Sequence, residues 1–383
     1  MSDLDQATLW LYQLRRWTWL YDFLRWFKRH LTWLWVEIFR FSGSGYQWGS
    51  AGGFYSGIDQ VERGERPGRL CLRGQVLPPL QKPSLIEAAN MEQNGRQPWP
   101  VFWLTERQAR LVGPSLALMN SNKELLIESV FGKEFCRRDP SFNYVRLTEP
   151  VYLPGCWTSL IHCWSEGYYH WIMDALPRLA LLDEFPPDTG ILVRGPLRPY
   201  QKESLKMLGL LDRVRVTSEQ HLMVEEYWFT SPVGMTGCTN PHAVHWLRDR
   251  FLPQGVKAAT PARFCIRRRG KTRGIRNQDE LWDLLARLGW VVVDLEDLSF
   301  SEQITWFNHA ECIIGEHGGG FTNVVWASPR VRLVELCADR FLNGCYEAIM
   351  NCIGGKHAFR IYPAGADDSF RVPREEVARL VSG

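Results

Sequence analysis

The sequence predicts an α/β protein, and three features of its second half carry that prediction. Short, continuous apolar runs recur there, helix-like segments with one apolar face separate them, and glycine or polar breakers mark the junctions. Strands that lack an in–out alternation are covered on both faces, and their alternation with helices implies a parallel sheet. "RFCIRR" (263–268) reads as a strand, and "NQDELWDLLARLG" (277–289) as a helix with its apolar face at Leu281, Leu284, Leu285 and Leu288. "WVVVDL" is a strand, "SFSEQITWFNHA" a helix, "ECIIGE" a strand, "FTNVVWAS" a short helix and "VRLVEL" a strand. Residues 262–340 thus read as a Rossmann-like half-domain.

The first half is mixed. "LCLRGQVL", "PVYLPG", "GILVRG" and "EEYWFT" read as strands, "YYHWIMDALPRLALLDEF" and "YQKESLKMLGL" as helices. "SPVGMTGCTNPH" (231–242) has the breakers of an interdomain crossing. We therefore divide the chain into 1–65 (a helical segment and a Gly/Ser-rich linker), 66–240, 241–355 and a tail, 356–383, expected to cross back onto the first domain.

Residues 8–42 stand apart. Charge interrupts them too often for a membrane span. At helical periodicity Arg15, Thr18, Asp22, Arg25, Arg29 and Thr32 form a polar stripe, while Trp17, Leu20, Leu24, Phe27, Leu31 and Leu34 lie away from it. A basic, tryptophan-rich amphipathic helix lying on a membrane surface is one reading. Packing on another protein or on a sister subunit, which would make a homo-oligomer, is the other.

Composition excludes some classes. A formal net charge of +3 is too balanced to imply a nucleic-acid partner. The ten cysteines are scattered, without CxxC or zinc-site spacing, so no structural metal is expected. With no N-x-S/T sequon and no signal-like start, the expectation is a reduced, cytoplasmic protein, peripheral to the membrane.

Four groups of residues carry chemistry. "GEHGGGFTN" (315–323) lies between a strand and a helix, where open parallel sheets bind ligands. Helix N-termini favour phosphate, and glycines let the backbone approach it. His317, Gly318, Gly319, Gly320, Thr322 and Asn323 are the candidate contacts; a turn chosen only for packing is the plainer alternative. The loop fails the GxGxxG dinucleotide fingerprint. Second, arginines 267, 268, 269, 273 and 276 and Lys271 follow the first strand of the half-domain, and guanidinium forks match phosphate oxygens. Third, Glu335 closes "VRLVEL", where a carboxylate can accept ribose hydroxyls. Fourth, His170 and Asp174 stand four apart in "SEGYYHWIMDALPRL", on one helix face. An imidazole beside a carboxylate is held in one tautomer and becomes a better base.

Taken in order, "YHWIMDALPRL", "IRRRGKTRGIRNQDEL", "GEHGGGFTN" and "VRLVEL" resemble glycosyltransferase family 61 over roughly residues 150–355. Gly319 stands where that family usually has alanine, Tyr169 where Gly or Asn often precedes the histidine, and Gln278 where Glu follows the asparagine. The resemblance implies a GT-B-like fold of two Rossmann-like domains facing a cleft, donor held by the C-terminal half and acceptor by the N-terminal half. It implies an inverting, metal-independent enzyme that moves a sugar from a nucleotide sugar, commonly a UDP-sugar, to a glycan hydroxyl in polysaccharide or capsule biosynthesis. The acceptor could be lipid-linked. Consistent with this, no D-x-D motif stands at a strand end; only "DLEDL" (294–298) and "DLD" (3–5) come near it, neither in a metal-binding setting. In this reading His170 and Asp174 are catalytic, their division of labour left open. Arg268, Arg273, His317, Gly318, Gly319, Gly320, Thr322 and Asn323 hold the diphosphate, and Glu335 the ribose. Two rivals remain: a non-catalytic nucleotide-sugar or glycan-binding subunit of a membrane-associated assembly complex, and an HxxxD acyltransferase, against which Ala175 replaces the expected glycine.

Overall fold

The computed structural model describes residues 53–56, 59–60, 63–64, 68–74, 99–120, 123–130, 148–234, 236–256, 259–269 and 274–382. The amphipathic segment 8–42 and Arg273 lie outside the described residues. The protein is mixed α/β, built on two sheets.

The second sheet is wholly parallel. It contains β10 (Arg263–Ile266), β11 (Val291–Val293), β12 (Cys312–Glu316), β13 (Arg332–Ala338) and β14 (Lys356–Tyr362), in the order β11–β10–β12–β13–β14. Every neighbouring pair is parallel. Successive side chains leave a strand on opposite faces. Accordingly Ile313 and Leu333 join one apolar cluster, while Cys312, Ile314 and Val334 join another. Both faces are covered, which is why these strands read as unbroken apolar runs.

Helices connect the strands. α4 (Gln278–Arg287) buries Leu281, Trp282 and Leu285. Leu288, expected on that face, is 44% exposed, because the chain turns away at Gly289 with φ +81°. α5 (Phe300–His309) starts at a reciprocal cap in which Ser299 and Glu302 each accept the other's backbone N–H. α6 (Cys345–Ile353) and α7 (Arg374–Ser382) follow β13 and β14. The tail does not cross back: β14 extends the second sheet, and Val377 and Leu380 of α7 pack in one cluster with Leu281 and Leu285.

The first sheet is mixed. β6 (Val151–Ser159), β7 (Gly190–Arg194), β8 (Val214–Thr217) and β9 (His221–Thr230) form a parallel group ordered β9–β6–β7–β8. The long strand β3 (Trp99–Val112) then adds antiparallel to β9, and its hairpin with β4 (Ala117–Met119) continues the sheet. β5 (Glu124–Leu126), β1 (Gly53–Tyr55) and β2 (Gly68–Gly74) complete it. A parallel arrangement therefore extends over four strands of this sheet; antiparallel β3 and β4, with the short β1, β2 and β5, supply the remainder.

Helical segments fill the space between the sheets. α1 (Tyr168–His170) passes into a π-helical turn (Trp171–Ala175) and a 3-10 stretch (Leu176–Glu184). α2 (Pro199–Met207) follows β7, and α3 (Pro241–Phe251) starts where the Asn240 side chain accepts the N–H of His242. One apolar cluster runs through Ile191, Trp171, Leu247, Phe300, Ile313 and Trp326, so the two sheets share a core. The described cysteines are free thiols. No helix among the described residues is long and apolar enough to cross a membrane.

Candidate functional site

The strand order fixes where the site lies. The crossover from β10 leads to one side of the sheet and that from β12 to the other, so order reverses between these two strands. At such a switch point the loops at the carboxyl ends separate and leave a crevice. The loop after β10 carries Arg267, Arg268 and Arg269; the loop after β12 carries His317 and the three glycines.

The glycines serve two purposes. A Cβ on Gly315 would come within 3.1 Å of the Ile266 carbonyl oxygen and 3.2 Å of the Phe321 ring, and one on Gly320 within 2.8 Å of Leu295 Cδ1. These two are required by packing. Gly319 is exposed, and a Cβ there would meet only Tyr168 Cβ, at 3.8 Å. Gly318 lies under Arg268, with a virtual Cβ 3.7 Å from the side chain. The middle of the loop is therefore open to a ligand while its ends are packed.

Arg268 differs from its neighbours because side chains alternate along an extended chain. Arg267 makes a bidentate pair with Asp294 (2.7 and 2.7 Å), and Arg269 pairs with Asp294 and Asp297. The Arg267 hydrogen bond is the chief cause holding the Asp294 carboxyl below its usual range. Arg268 points the other way, over the glycines, where its Nη1 lies 3.4 Å from the His317 carbonyl oxygen. Among the described residues it has no carboxylate partner. Arg276 is turned outward to Asp367 and Ser369.

Thr322 and Asn323 were expected at the ligand, but both are fully buried. They belong to the 3-10 helix Gly319–Trp326, whose side chains point into the core. Asn323 accepts from the Tyr168 hydroxyl (2.7 Å) and the Trp326 indole (3.0 Å), and donates to Gln303 and the Gly320 carbonyl. It braces the loop and has no group left for a ligand. Tyr346 of α6 adds a second brace, donating to the Gly318 carbonyl at 2.7 Å.

Glu335 also has a different place from the one expected. β13 continues to Ala338, so Glu335 sits mid-strand, 1% exposed. Its Oε1 meets His317 Nδ1, and its Oε2 lies 2.8 Å from Nε2 of His357 on β14. Burial pushes this carboxyl up, but the hydrogen bonds from His317 and His357 outweigh it and hold the group at about 2. Both oxygens are thus taken by imidazoles, and none is presented to a ribose. Ligand atoms of His317, Glu335 and Cys337 lie within 4.8 Å of one another. With the carboxylate already occupied, this group reads as a hydrogen-bond network.

The second centre faces the loop from α1. His170 Nδ1 lies 2.7 Å from Asp174 Oδ2, and Thr236 Oγ1 donates to the same oxygen at 2.8 Å while lying 3.1 Å from His170 Nδ1. Asp174 is 4% exposed; the His170 ring is 29% exposed and stacks on Trp164 with centroids 5.4 Å apart. Because a carboxylate only accepts, Nδ1 carries the proton and Nε2 is left bare. The π-helical turn that carries Asp174 is a form common at functional sites. Nearby, burial first, then the charges of Arg178 and His170, hold His162 well below the usual histidine range, so it stays neutral.

Short contacts join the two centres. The Tyr168 hydroxyl binds Asn323, and the ring of Tyr169 meets Tyr346, which in turn meets His317 (centroids 6.1 and 5.0 Å). Arg268, His317, Gly318, Gly319, Gly320, His170 and Asp174 are brought to one region; Thr322, Asn323 and Glu335 support it from beneath. Sequence reasoning missed Thr236, Tyr346, His357 and Trp164. Thr236 lies in the breaker-rich run assigned to an interdomain crossing, and no periodicity singled out the others.

Residues 168–334 match the family model described as glycosyltransferase 61. That interval contains the His–Asp centre, Arg268 and the glycine loop, and ends one residue before Glu335. No curated protein matches the chain.

Proposed function

From the premise that residues 168–334 form a glycosyltransferase 61 domain, we propose that the chain transfers a sugar from a nucleotide-sugar donor, a UDP-sugar, to a hydroxyl of a glycan acceptor. The observation that supports this reading is a bare imidazole nitrogen, on His170, in the same region as an open glycine loop and an arginine, Arg268, that has no carboxylate partner among the described residues. His170 Nε2 accepts the acceptor proton, while Asp174, held by Thr236, fixes the ring and stabilises the imidazolium that forms. The acceptor oxygen then attacks the anomeric carbon in line and inverts it, and the donor's diphosphate leaves.

Charge on that diphosphate is met by Arg268 and by backbone N–H groups at Gly318–Gly320, set before reaction so that no reorganisation is needed. This arrangement assigns no step to a metal ion. The acceptor is a growing glycan, consistent with polysaccharide synthesis, and residues 8–42 bring the enzyme to a membrane surface where a lipid-linked acceptor would be met.

A thermal-shift screen against a panel of nucleotide sugars tests the reading. A true donor raises the melting temperature by mass action, and the same donor should be consumed, with transfer to a glycan acceptor detected by mass spectrometry. Failure of every donor to bind refutes the donor site; binding without transfer or hydrolysis refutes the catalytic assignment.

A further inference from the structure

A hydrogen bond at one nitrogen does not by itself fix an imidazole. Asp174 and Thr236 meet His170 at Nδ1. Hydrogen bonds are satisfied over a range of angles above about 150°, so the ring can still tilt about that contact. Tilting carries Nε2, on the far side of the ring, away from the proton it is to take. The plane of the ring needs further contacts, and the turn just before it, residues 162–167, supplies two.

The first contact is a face. The Trp164 indole stacks on the imidazole with centroids 5.4 Å apart and planes 29° from parallel. The rings of Tyr169 and His162 stand nearly perpendicular to it, at 5.3 and 6.2 Å. The second contact is a missing side chain. Gly167 is exposed, with φ −83° and ψ 140°, a conformation open to any residue. Neither backbone conformation nor burial asks for glycine there. A Cβ on Gly167 would, however, come within 3.3 Å of His170 Cδ2 on one side and 3.3 Å of the Trp164 carbonyl oxygen on the other. The imidazole thus occupies space that a side chain would need.

The turn that carries both contacts is itself tied down. Ser165 N–H donates to the His162 carbonyl (3.1 Å) and Gly167 N–H to that of Trp164 (2.8 Å). From α2, the Gln201 amide donates to the Ser165 carbonyl at 3.3 Å and the Tyr200 hydroxyl to that of Glu166 at 2.7 Å. For the Trp164 carbonyl to yield to a new Cβ at Gly167, the hydrogen bond between these two residues would have to stretch, so the imidazole moves instead. The stack also bears on the charge that forms as His170 takes a proton. An indole face attracts a cation within about 6 Å of its centroid, and an interaction that strengthens as charge develops lowers the barrier.

We propose that the 162–167 turn is a clamp on the reacting imidazole, with Trp164 and Gly167 as positioning residues for His170. The inference rests on the assignment of His170 as base made above, and extends it to two residues that take no part in proton transfer themselves. Trp164 sets the plane of the ring and faces the charge that forms on it; Gly167 leaves the ring edge clear. A glycine with an ordinary backbone stands at this exposed position, three residues before the histidine, because a larger residue displaces the ring. No bond forms or breaks at either residue.

The test is a graded series in the full chain: Gly167→Ala and Gly167→Val beside Trp164→Phe and Trp164→Leu. Crystal structures of the wild type and Gly167→Ala read the ring directly. Its consequence is read as UDP release from UDP-xylose, UDP-glucose and UDP-N-acetylglucosamine at saturating donor, with a pool of mixed oligosaccharides as acceptor. Calorimetric titration with UDP gives the affinity, and melting temperatures separate misfolding from altered turnover. Misplacing a reacting group by about 1 Å costs about 10²-fold. Gly167→Ala, which asks the ring to move by less than that, should lower UDP release about threefold to tenfold, and Gly167→Val further, toward about 10²-fold. Trp164→Leu should lose about tenfold, and Trp164→Phe, which keeps an aromatic face, should recover most of it. In each case UDP affinity should stay at the wild-type value, since only the rate of the chemical step is touched. An unmoved ring in the Gly167→Ala crystal, or turnover by both Gly167 variants equal to the wild type's, overturns the inference and leaves His170 as the base. Equal losses in Trp164→Phe and Trp164→Leu overturn the part assigned to the indole face. Should the wild type release UDP from none of the three donors, the function proposed above falls, while the ring position in the Gly167→Ala crystal still decides the clamp.

Discussion

Replacing Asp174 by Asn tests the catalytic centre most directly. The change keeps the size of a side chain that is 4% exposed, and removes a charge from an atom that takes hydrogen bonds from both His170 and Thr236. With the carboxylate in place, His170 must carry its proton on Nδ1, leaving Nε2 free to act as base. An amide can turn its NH2 toward the ring. Nδ1 then becomes the acceptor, the proton moves to Nε2, and the base is lost. A positioned general base contributes typically about 10²–10⁴-fold in rate, or roughly 3–5 kcal/mol of barrier at ~1.36 kcal/mol per tenfold. Asp174→Asn should therefore lower transfer at saturating donor by that factor, with nucleotide affinity unchanged, because the diphosphate contacts lie across the crevice. Single-turnover transfer assays together with nucleotide titration measure both. Transfer within about fivefold of wild type, in a variant that binds nucleotide normally, would refute the assignment of the His170–Asp174 pair.

Two further predictions concern the loop and the buried carboxylate. Gly320→Ala should destabilise by about 1–3 kcal/mol through overpacking against Leu295, whose Cδ1 would lie 2.8 Å from the new carbon. Gly319→Ala should stay within about 0.5 kcal/mol of wild type, since its new carbon meets only Tyr168 at 3.8 Å; denaturant melts of the two variants check the contrast. For Glu335, the folded carboxyl sits at about 2 against an ordinary 4.5. The folded value is the lower, so this stability is present above about pH 4.5 and is lost as pH falls toward 2. Its size is on the order of 3 kcal/mol. Glu335→Gln should lose it at neutral pH and flatten the stability curve between pH 5 and 2, as read from denaturation midpoints; parallel curves for the two proteins would sink the claim.

The parallel half of the fold was legible because burial on both faces leaves a mark in composition. β10, β12 and β13 carry apolar residues at successive positions on both faces, and the helices between them show one apolar face. The mixed sheet was less legible: β3 and β9 alternate burial and pair over a long separation, which no local pattern encodes. The site divides in the same way. His170 and Asp174 were legible because their spacing of four is itself the contact. Arg268 was legible as one of a group, but only the pairing of Arg267 and Arg269 with Asp294 shows which member is left for a ligand. Asn323 and Glu335 were placed near the right loop with the wrong orientation. Polar residues beside a glycine turn look like ligand contacts, whereas here the turn needs them as internal braces. Thr236, Tyr346 and His357 reach the site through tertiary contacts alone.

Those braces bear on how a substrate enters. An opening motion between the two sheets would have to break the Tyr168–Asn323 hydrogen bond and expose parts of a cluster that includes Trp171, Phe300, Phe321 and Trp326. Fully burying one large apolar side chain is worth about 1.5–3 kcal/mol, so exposing several together exceeds the few kcal/mol that a populated open state can cost. His170 and the glycine loop are therefore held in fixed relation, and access depends on the segments at the rim. Residues 339–344 are the clearest of these: Phe341 and Leu342 are 39% and 36% exposed, and the segment carries little buried surface until Cys345. Segments with few buried apolar contacts open at low free-energy cost. Opposite them, Gly237 has φ +85° and a virtual Cβ 3.8 Å from Asn343, one residue from the Thr236 that holds Asp174. The 339–344 rim thus lies beside the segment whose Thr236 donates to Asp174, and a substitution that enlarges Gly237 would meet Asn343 first.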